Sequence, residues 1–387
     1  MENQIVIVGA SVAAGGFIEE IRDQGFDGSI TIIEQEPEAP YDRPPLSKQY
    51  LRSGDDEFIT IDWDDFNVEI VRAKATGVNP QQRTVLLEDL HTGDASTMTF
   101  GSLVIASGAN PARLPFEPSN THVLRTVRDA RDIREAVVKG LQVVILGAGA
   151  IGVETASTLS GLGAQVTVLD RVSGPLERLL GGFLQEEITG WLHEIGVETR
   201  WDTNISAVEQ QDHTWEIEID QGEILTADMV LSAVGSKAAV SWLKDSDLLT
   251  DRHLLVDDVG QVIVMGEPIK NVFAIGDAAS RRTPEGMYTR TESWTAAREQ
   301  GQALGEYLMT GAPKQPSVPY FWTEVAGRNV QVVGQLQPGG NIEEVNNNPA
   351  RKSHLYRVDN PDGSEAWVGI NAQPKIAQLM MREAVSK

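Results

Sequence analysis

Residues 143–170 leave this chain the least freedom. An apolar run over 143–146 is followed by Gly147-Ala148-Gly149-Ala150-Ile151-Gly152, a full G-x-G-x-x-G, and then by a helical pattern that carries Glu154. A second apolar run over 166–169 ends in Asp170, eighteen positions past Gly152. Strand, tight turn, helix, strand and acid in this register build a βαβ unit around a dinucleotide. The glycines let backbone approach a pyrophosphate at a helix N-terminus, and the acid bonds a ribose 2′-OH. Asp170 would repel a 2′-phosphate, which predicts NADH over NADPH; Arg171 beside it weakens the preference.

A less regular version of the same unit opens the chain. The apolar run 5–8 meets Gly9-Ala10-Ser11-Val12-Ala13-Ala14, a helix is expected over 17–22, and a second strand over 30–33. Ser11 replaces the second glycine and Ala14 the third. Glu34, Gln35 and Glu36 are all candidates for the ribose acid. Three further apolar runs end in small residues, where backbone can pass close to a cofactor. They are 103–109, 229–235, which ends in Gly235 and is expected to line the second nucleotide site, and 272–276, where the acid Asp277 follows Gly276. Short strands are expected within 68–109, hairpin strands over 204–234, and helices over 130–138 (after Arg125 and Thr126) and 293–308. From Pro319 onward the pattern changes to strands, turns and a last helix over 376–384.

Between the first unit and its neighbours lies YDRPPLSK, residues 41–48. Pro44 and Pro45 fix two consecutive φ angles and push the residue before each towards extended backbone, so Arg43 and Lys48 sit on a stiff frame.

Composition removes several classes of function. The chain has 387 residues and no cysteine, which excludes a disulfide scaffold, thiolate-ligated metal and a redox-active Cys pair. A formal net charge of −24 argues against nucleic acid and anionic membrane; it fits solubility or salt adaptation. No apolar run approaches the roughly 20 residues needed to span a bilayer. Met1 leads straight into a strand-like run, so no signal peptide is expected and a cytoplasmic location is the default. The histidines are scattered, without metal-ligand spacing.

Taken together, YDRPPLSK (41–48), IASGA (105–109), LRT (124–126), GAGAIGVE (147–154), FAIGDAA (273–279), ESWTAAREQG (292–301) and PYFWTE (319–324) resemble the glutathione-reductase-type FAD/NAD(P) fold. More narrowly, the chain is similar to the NADH-dependent ferredoxin reductases that serve Rieske ring-hydroxylating oxygenases and bacterial haem monooxygenases, with the apoptosis-inducing factor family a cousin. The resemblance implies an α/β fold with two Rossmann-type dinucleotide-binding domains and a small α+β C-terminal domain. The implied division is 1–109 and 237–316 for FAD, 110–236 for NAD, and 317–387 for the C-terminal domain. It further implies non-covalent FAD, NADH as donor, a [2Fe–2S] ferredoxin as partner, and a monomer or homodimer.

Carried over position by position, the resemblance sets Ala13, Lys48, Ala75, Arg125, Asp277 and Trp294 against FAD. Gln35 falls where relatives often have an acid, so Glu34 or Glu36 is left as substitute. Where relatives often read FWSDQ, this chain has Phe321-Trp322-Thr323-Glu324-Val325. Lys48 and Glu154 are expected to pair near flavin N5, or else to form an ordinary ion pair at a domain seam. Trp322 is either the residue that carries electrons outward or a core aromatic. Arg281, Arg282, Arg290 and Arg298, against Glu285 and Glu292 and with Arg328 as an addition, form either a docking patch or a solvated face. The leading function is ferredoxin–NAD⁺ reductase; the alternatives are rubredoxin reductase and a redox-sensing flavoprotein like apoptosis-inducing factor.

Overall fold

The computed structural model describes residues 4–61, 63, 66–283, 286–314 and 317–385, with Glu285 outside that set. The chain forms two compact units, one from 1–42, 60–110 and 237–317, the other from 43–59, 111–236 and 318–387. The fold is α/β: each unit holds a Rossmann-type parallel sheet, and the second also holds a small α+β element.

In the first unit, Glu267–Ala274, Ser102–Ile105, Gln4–Val8, Ser29–Glu34 and Glu69–Asn79 lie side by side and parallel. Ser102–Ile105 is buried throughout, and so is Gln4–Val8 past its first residue. A parallel strand covered on both faces reads as a continuous apolar run, which is why 5–8 and 103–105 were legible. Thr84–Asp89 and Ala95–Thr99 extend one edge antiparallel, and Gln261–Val264 the other. Glu69–Asn79 is eleven residues long, not short, with a bulge between Ala75 and Gly77.

The first helix, Val12–Asp23, starts directly on the glycine turn, five residues before the expected 17. It lies against helix Trp294–Thr310 at a distance only glycines permit. A Cβ on Gly301 would stand 2.2 Å from Ala13 O, and one on Gly16 2.5 Å from Arg298 O.

In the second unit, Glu198–Arg200, Gln165–Leu169, Gln142–Leu146, Met229–Ser232 and His122–Val123 form a five-stranded parallel sheet. The expected hairpins are a three-stranded antiparallel sheet, Ile205–Gln211, Thr214–Ile219 and Glu223–Ala227. The C-terminal sheet runs in the order Tyr320–Val325, Arg328–Val333, Glu365–Ile370, Ser353–Asp359, Asn341–Asn348, all antiparallel, followed by helix Gln373–Val385.

Residues 43–59, placed in the first segment by the sequence division, group with the second unit. Thr158 Oγ1 donates to Ser47 O at 2.7 Å, and Arg131 Nε to the buried Tyr50 hydroxyl at 2.9 Å. The diproline is not extended either. Pro44–Ser47 is a 3₁₀ turn entered from Arg43 at φ −82° and ψ −32°. Prolines suit the first turn of a helix because their missing N–H groups would have no intrahelical acceptor there. The helical Arg43 carbonyl accepts from Leu46 N–H at 3.0 Å, and that bond opposes the usual pre-proline preference. Among the described residues, no helix is long and apolar enough to cross a membrane.

Candidate active site

Both glycine turns are built alike. Gly9 and Gly147 have φ of +102° and +103°, where a side chain is strained. A Cβ on Gly9 would lie 2.5 Å from Ala106 O, and one on Gly147 2.5 Å from Ala233 O. So the end of a neighbouring strand crosses directly behind each turn. The helices that follow begin at Ser11 and Gly149 with no side-chain cap. Their first-turn N–H groups therefore suit an anion. Among the described residues, nothing beyond the adjoining chain lies within 4 Å of a Cβ built on Gly149 or on Gly235, which has φ +115°. Both turns thus fit a dinucleotide pyrophosphate.

The acids close each turn by one device. Glu34 is buried; its Oε2 accepts the Ala10 N–H at 2.7 Å and its Oε1 the Glu36 N–H at 2.7 Å. Asp170 Oδ2 accepts the Ala148 N–H at 2.6 Å and Oδ1 the Val172 N–H at 3.3 Å. Of the three candidates at 34–36, Glu34 is the one on the turn. Gln35 is exposed, and the Glu36 carboxylate accepts from the Tyr41 hydroxyl.

The second helix carries a buried charge pair. Lys48 Nζ stands 2.6 Å from Glu154 Oε2, with the two residues 8% and 4% exposed. The pair is embedded in hydroxyls. Ser47 Oγ donates to Glu154 Oε2 at 2.5 Å, and Thr323 Oγ1 to Oε1 at 2.7 Å. Lys48 also donates to Pro44 O at 3.2 Å, so the 3₁₀ turn sets the ammonium's height. Removing one member of a buried pair typically costs about 3–5 kcal/mol because the other charge stays behind. Here the two hydroxyls soften that penalty on the carboxylate side.

The remaining candidates divide between the units. In the first, Asp277 sits in the 3₁₀ turn Gly276–Ala278, whose Gly276 N–H donates to Gln300 Oε1 at 2.9 Å. A Cβ on Gly276 would lie 3.1 Å from that of Ala13, so Ala13, the Asp277 turn and helix Trp294–Thr310 come together. Ala75 is buried at the bulge of its strand, opposite Leu87. Ala14 is buried in the first helix. Trp294 uses its indole as well as its backbone: Nε1 donates to Asp42 Oδ1 at 2.9 Å. One first-turn N–H of its helix, Ala296's, goes to the Ser293 cap.

In the second unit, Arg43 Nη1 donates to Arg125 O at 2.8 Å, and the Arg125 N–H donates to Asp129 Oδ2 at 3.0 Å. Gly235 O accepts the Ala112 N–H at 2.8 Å, and Gly152 sits in the helix with its Cβ position 2.0 Å from Gly147 O. Trp322 is half-buried and stacks on Tyr320, centroids 5.9 Å apart.

Arg281, Arg290, Arg298 and Arg328 have acidic partners, while Arg282 is exposed. Arg281 pairs with Asp258 at 3.6 Å, Arg290 with Glu292 at 2.5 Å, and Arg298 with Glu19. Arg328 pairs with Glu194 at 2.5 Å and lies over Trp191. Counting charge along the sequence missed Asp258, Glu19 and Glu194 because they arrive from other segments. Sequence reasoning also missed Ser47, Thr323 and Asp42 as partners. A buried carboxylate needs several donors, so hydroxyls beside Lys48 and Trp322 were the signal available.

The model of the pyridine nucleotide-disulphide oxidoreductase family matches residues 3–301. The chain is 32% identical over 347 residues to the 3-phenylpropionate/cinnamic acid dioxygenase ferredoxin–NAD(+) reductase component of Photorhabdus laumondii subsp. laumondii, covering 87% of this chain and 86% of that protein. It is 30% identical over 348 residues to the chlorobenzene dioxygenase ferredoxin reductase component of a Cupriavidus species, covering 88% and 82%. The crystal structure of Fdr9 matches with a TM-score of 0.83 at 30% identity, covering 98% of this chain and 94% of that one.

Proposed function

We propose, for a chain that belongs to the pyridine nucleotide-disulphide oxidoreductase family, the activity of an FAD-dependent ferredoxin–NAD⁺ reductase. Electrons from NADH would pass through non-covalent FAD to a [2Fe–2S] ferredoxin that feeds a Rieske or haem oxygenase. We place the reaction in the cytoplasm, where NADH is regenerated. The observation that carries the reading is the doubled glycine turn, each copy closed by its own acid, in a chain without cysteine. The two turns suit two dinucleotides, and the disulphide in the family's name has no counterpart in a chain without cysteine. Electrons must then leave by a route other than thiol exchange.

When bound, the isoalloxazine supplies the conversion of one two-electron donation into single-electron deliveries. The chain's residues take the following parts. Segments 1–109 and 237–316 hold FAD. Gly9, Ser11, Ala13 and Ala14 admit its pyrophosphate, Glu34 orients its ribose, and Asp277 bonds the ribityl hydroxyls. Ala75, Arg43, Arg125 and the start of helix Trp294–Thr310 complete that set. Segment 110–236 holds NADH: Gly147, Gly149, Gly152 and Gly235 admit the backbone, and Asp170 bonds the adenosine ribose. The Lys48 ammonium stabilises negative charge on the reduced ring, and Glu154 holds it in place. Trp322, in segment 317–387, is the way out to the acceptor.

Reduction of a panel of [2Fe–2S] ferredoxins and a rubredoxin, with NADH against NADPH, tests the reading. Turnover with a ferredoxin and NADH is expected. Turnover with rubredoxin alone, or a long-lived charge-transfer band without turnover, would replace it with one of the alternatives. A colourless protein that cannot be loaded with FAD would end it.

A further inference from the structure

Strand Tyr320–Val325 presents different residues on its two faces. Thr323 turns to helix Ala150–Gly161 and reaches Glu154. Tyr320 and Trp322, alternate residues, share the opposite face and stack at an interplanar angle of 21°. Across the ladder, Gln331 stands directly opposite Trp322, and Val333 opposite Tyr320. Gln331 Nε2 donates to the Tyr320 hydroxyl at 2.5 Å.

Gln331 is 7% exposed, and its Oε1 has no partner among the described residues. The next strand faces it with Gly369, where a Cβ would come within 2.8 Å of Ile376 Cγ1. Helix Gln373–Val385 therefore sits flush on this face, and Tyr320 packs against the cluster of Val333, Leu355 and Ile376. A buried amide with one atom unsatisfied carries a cost that a leucine of similar size would avoid. What the amide provides in return is the bond to Tyr320.

We propose that Gln331 and Tyr320 are positioning residues for Trp322. The amide fixes the phenol, the helix backs the phenol ring, and the ring holds the indole in one orientation. This rests on the reading of Trp322 as the way out to the acceptor. The clamp serves that step only; donation from NADH does not use it.

The test compares Tyr320→Phe, Tyr320→Leu, Gln331→Leu, the Tyr320→Phe/Gln331→Leu double variant and Trp322→Ala in the FAD-loaded protein. Stopped-flow absorbance follows flavin bleaching by NADH and, separately, reduction of a plant-type [2Fe–2S] ferredoxin. Near-ultraviolet circular dichroism reports the stacked rings without turnover. Tyr320→Leu is expected to slow ferredoxin reduction about tenfold and to lose the dichroic band of the pair. Tyr320→Phe and Gln331→Leu should each slow it about threefold and keep most of the band; their double variant should be no slower, because both remove one bond. Bleaching by NADH should be unchanged throughout. The proposal is overturned if Tyr320→Leu matches wild type while Trp322→Ala is slow. It is equally overturned if Tyr320→Leu slows both half-reactions alike, or if the two single losses multiply. Unimpaired ferredoxin reduction by Trp322→Ala would instead remove the exit route itself, and the clamp with it.

Discussion

The two glycine turns share a plan, and two of their differences bear on the helix that follows. Ala14 stands where the second turn has Gly152, and Gly16 where it has Glu154. In the first unit the position of Gly16 is given to packing: it lets helix Trp294–Thr310 approach until backbone meets backbone. In the second, the equivalent position carries a buried carboxylate with Lys48, Ser47 and Thr323 around it. In the proposed reading, the first turn holds FAD behind a tight helix pair, and the second keeps that helix face for the transfer step and for the visiting NADH.

Exchanging the third small residue should give the largest contrast. Gly152→Ala drives a methyl to within 2.0 Å of Gly147 O, backbone that cannot yield cheaply. A loss of roughly 3 kcal/mol or more is expected, read as the midpoint of chemical denaturation. Ala14→Gly removes a methyl that already fits and should cost only about 0.5–1 kcal/mol. Equal losses would mean that the close approach to Gly147 O does not set the tolerance at Gly152.

Removing the cation tests what the second helix face is for. Lys48→Ala leaves Glu154 buried with only hydroxyl donors and, in the proposed reading, would take positive charge from the reduced ring. Bleaching by NADH should slow about a hundredfold, with the yellow colour retained. Loss of colour instead would assign Lys48 to FAD retention and not to the transfer step.

The paired acids sharpen the comparison further. Glu34→Gln and Asp170→Asn each weaken a charge-assisted bond to a turn N–H, of the order of 1.5–3 kcal/mol. Glu34→Gln should release FAD on dialysis while sparing the NADH Michaelis constant. Asp170→Asn should raise that constant roughly tenfold and narrow the preference over NADPH, with FAD held as before. The opposite assignment of effects would exchange the two sites.

How much of this was legible depended on what each residue answers to. The strands 5–8 and 143–146 lie in parallel sheets covered on both faces, so burial writes itself as an unbroken apolar run. The turns were legible because positive φ and a crossing carbonyl both demand glycine at 9 and 147. Glu34 over Gln35 was not readable: alternation decides which side chain points inwards, and a one-residue slip reverses it. The helical diproline escaped because local preference for extended backbone lost to the bond between Leu46 N–H and Arg43 O. The partners Asp258, Glu19 and Glu194 escaped because they come from other segments, which a local sum of charge cannot see. Thr323 was visible only as a departure from a familiar motif; its bond to Glu154 is set by how the C-terminal sheet docks on helix Ala150–Gly161 within the second unit.

The smallest expected difference lies at the edge of the second parallel sheet, where His122–Val123 pairs with Met229–Ser232. Burial lowers the His122 imidazole below its ordinary value of 6.5, opposed by Asp132 and Asp129 and aided by Arg113. Between that lowered value and 6.5, the unfolded chain binds a proton that the folded one refuses. Stability from this residue is therefore complete above about pH 6.5 and declines as pH falls towards the folded value. His122 is half-buried, which limits the effect to a shift on the order of a degree in Tm. Melting curves at pH 7.5 and 5.5, wild type against His122→Gln, measure it. The variant should lose slightly less stability on acidification; an identical pH response in both proteins would mean that the edge histidine titrates as freely as in the unfolded chain.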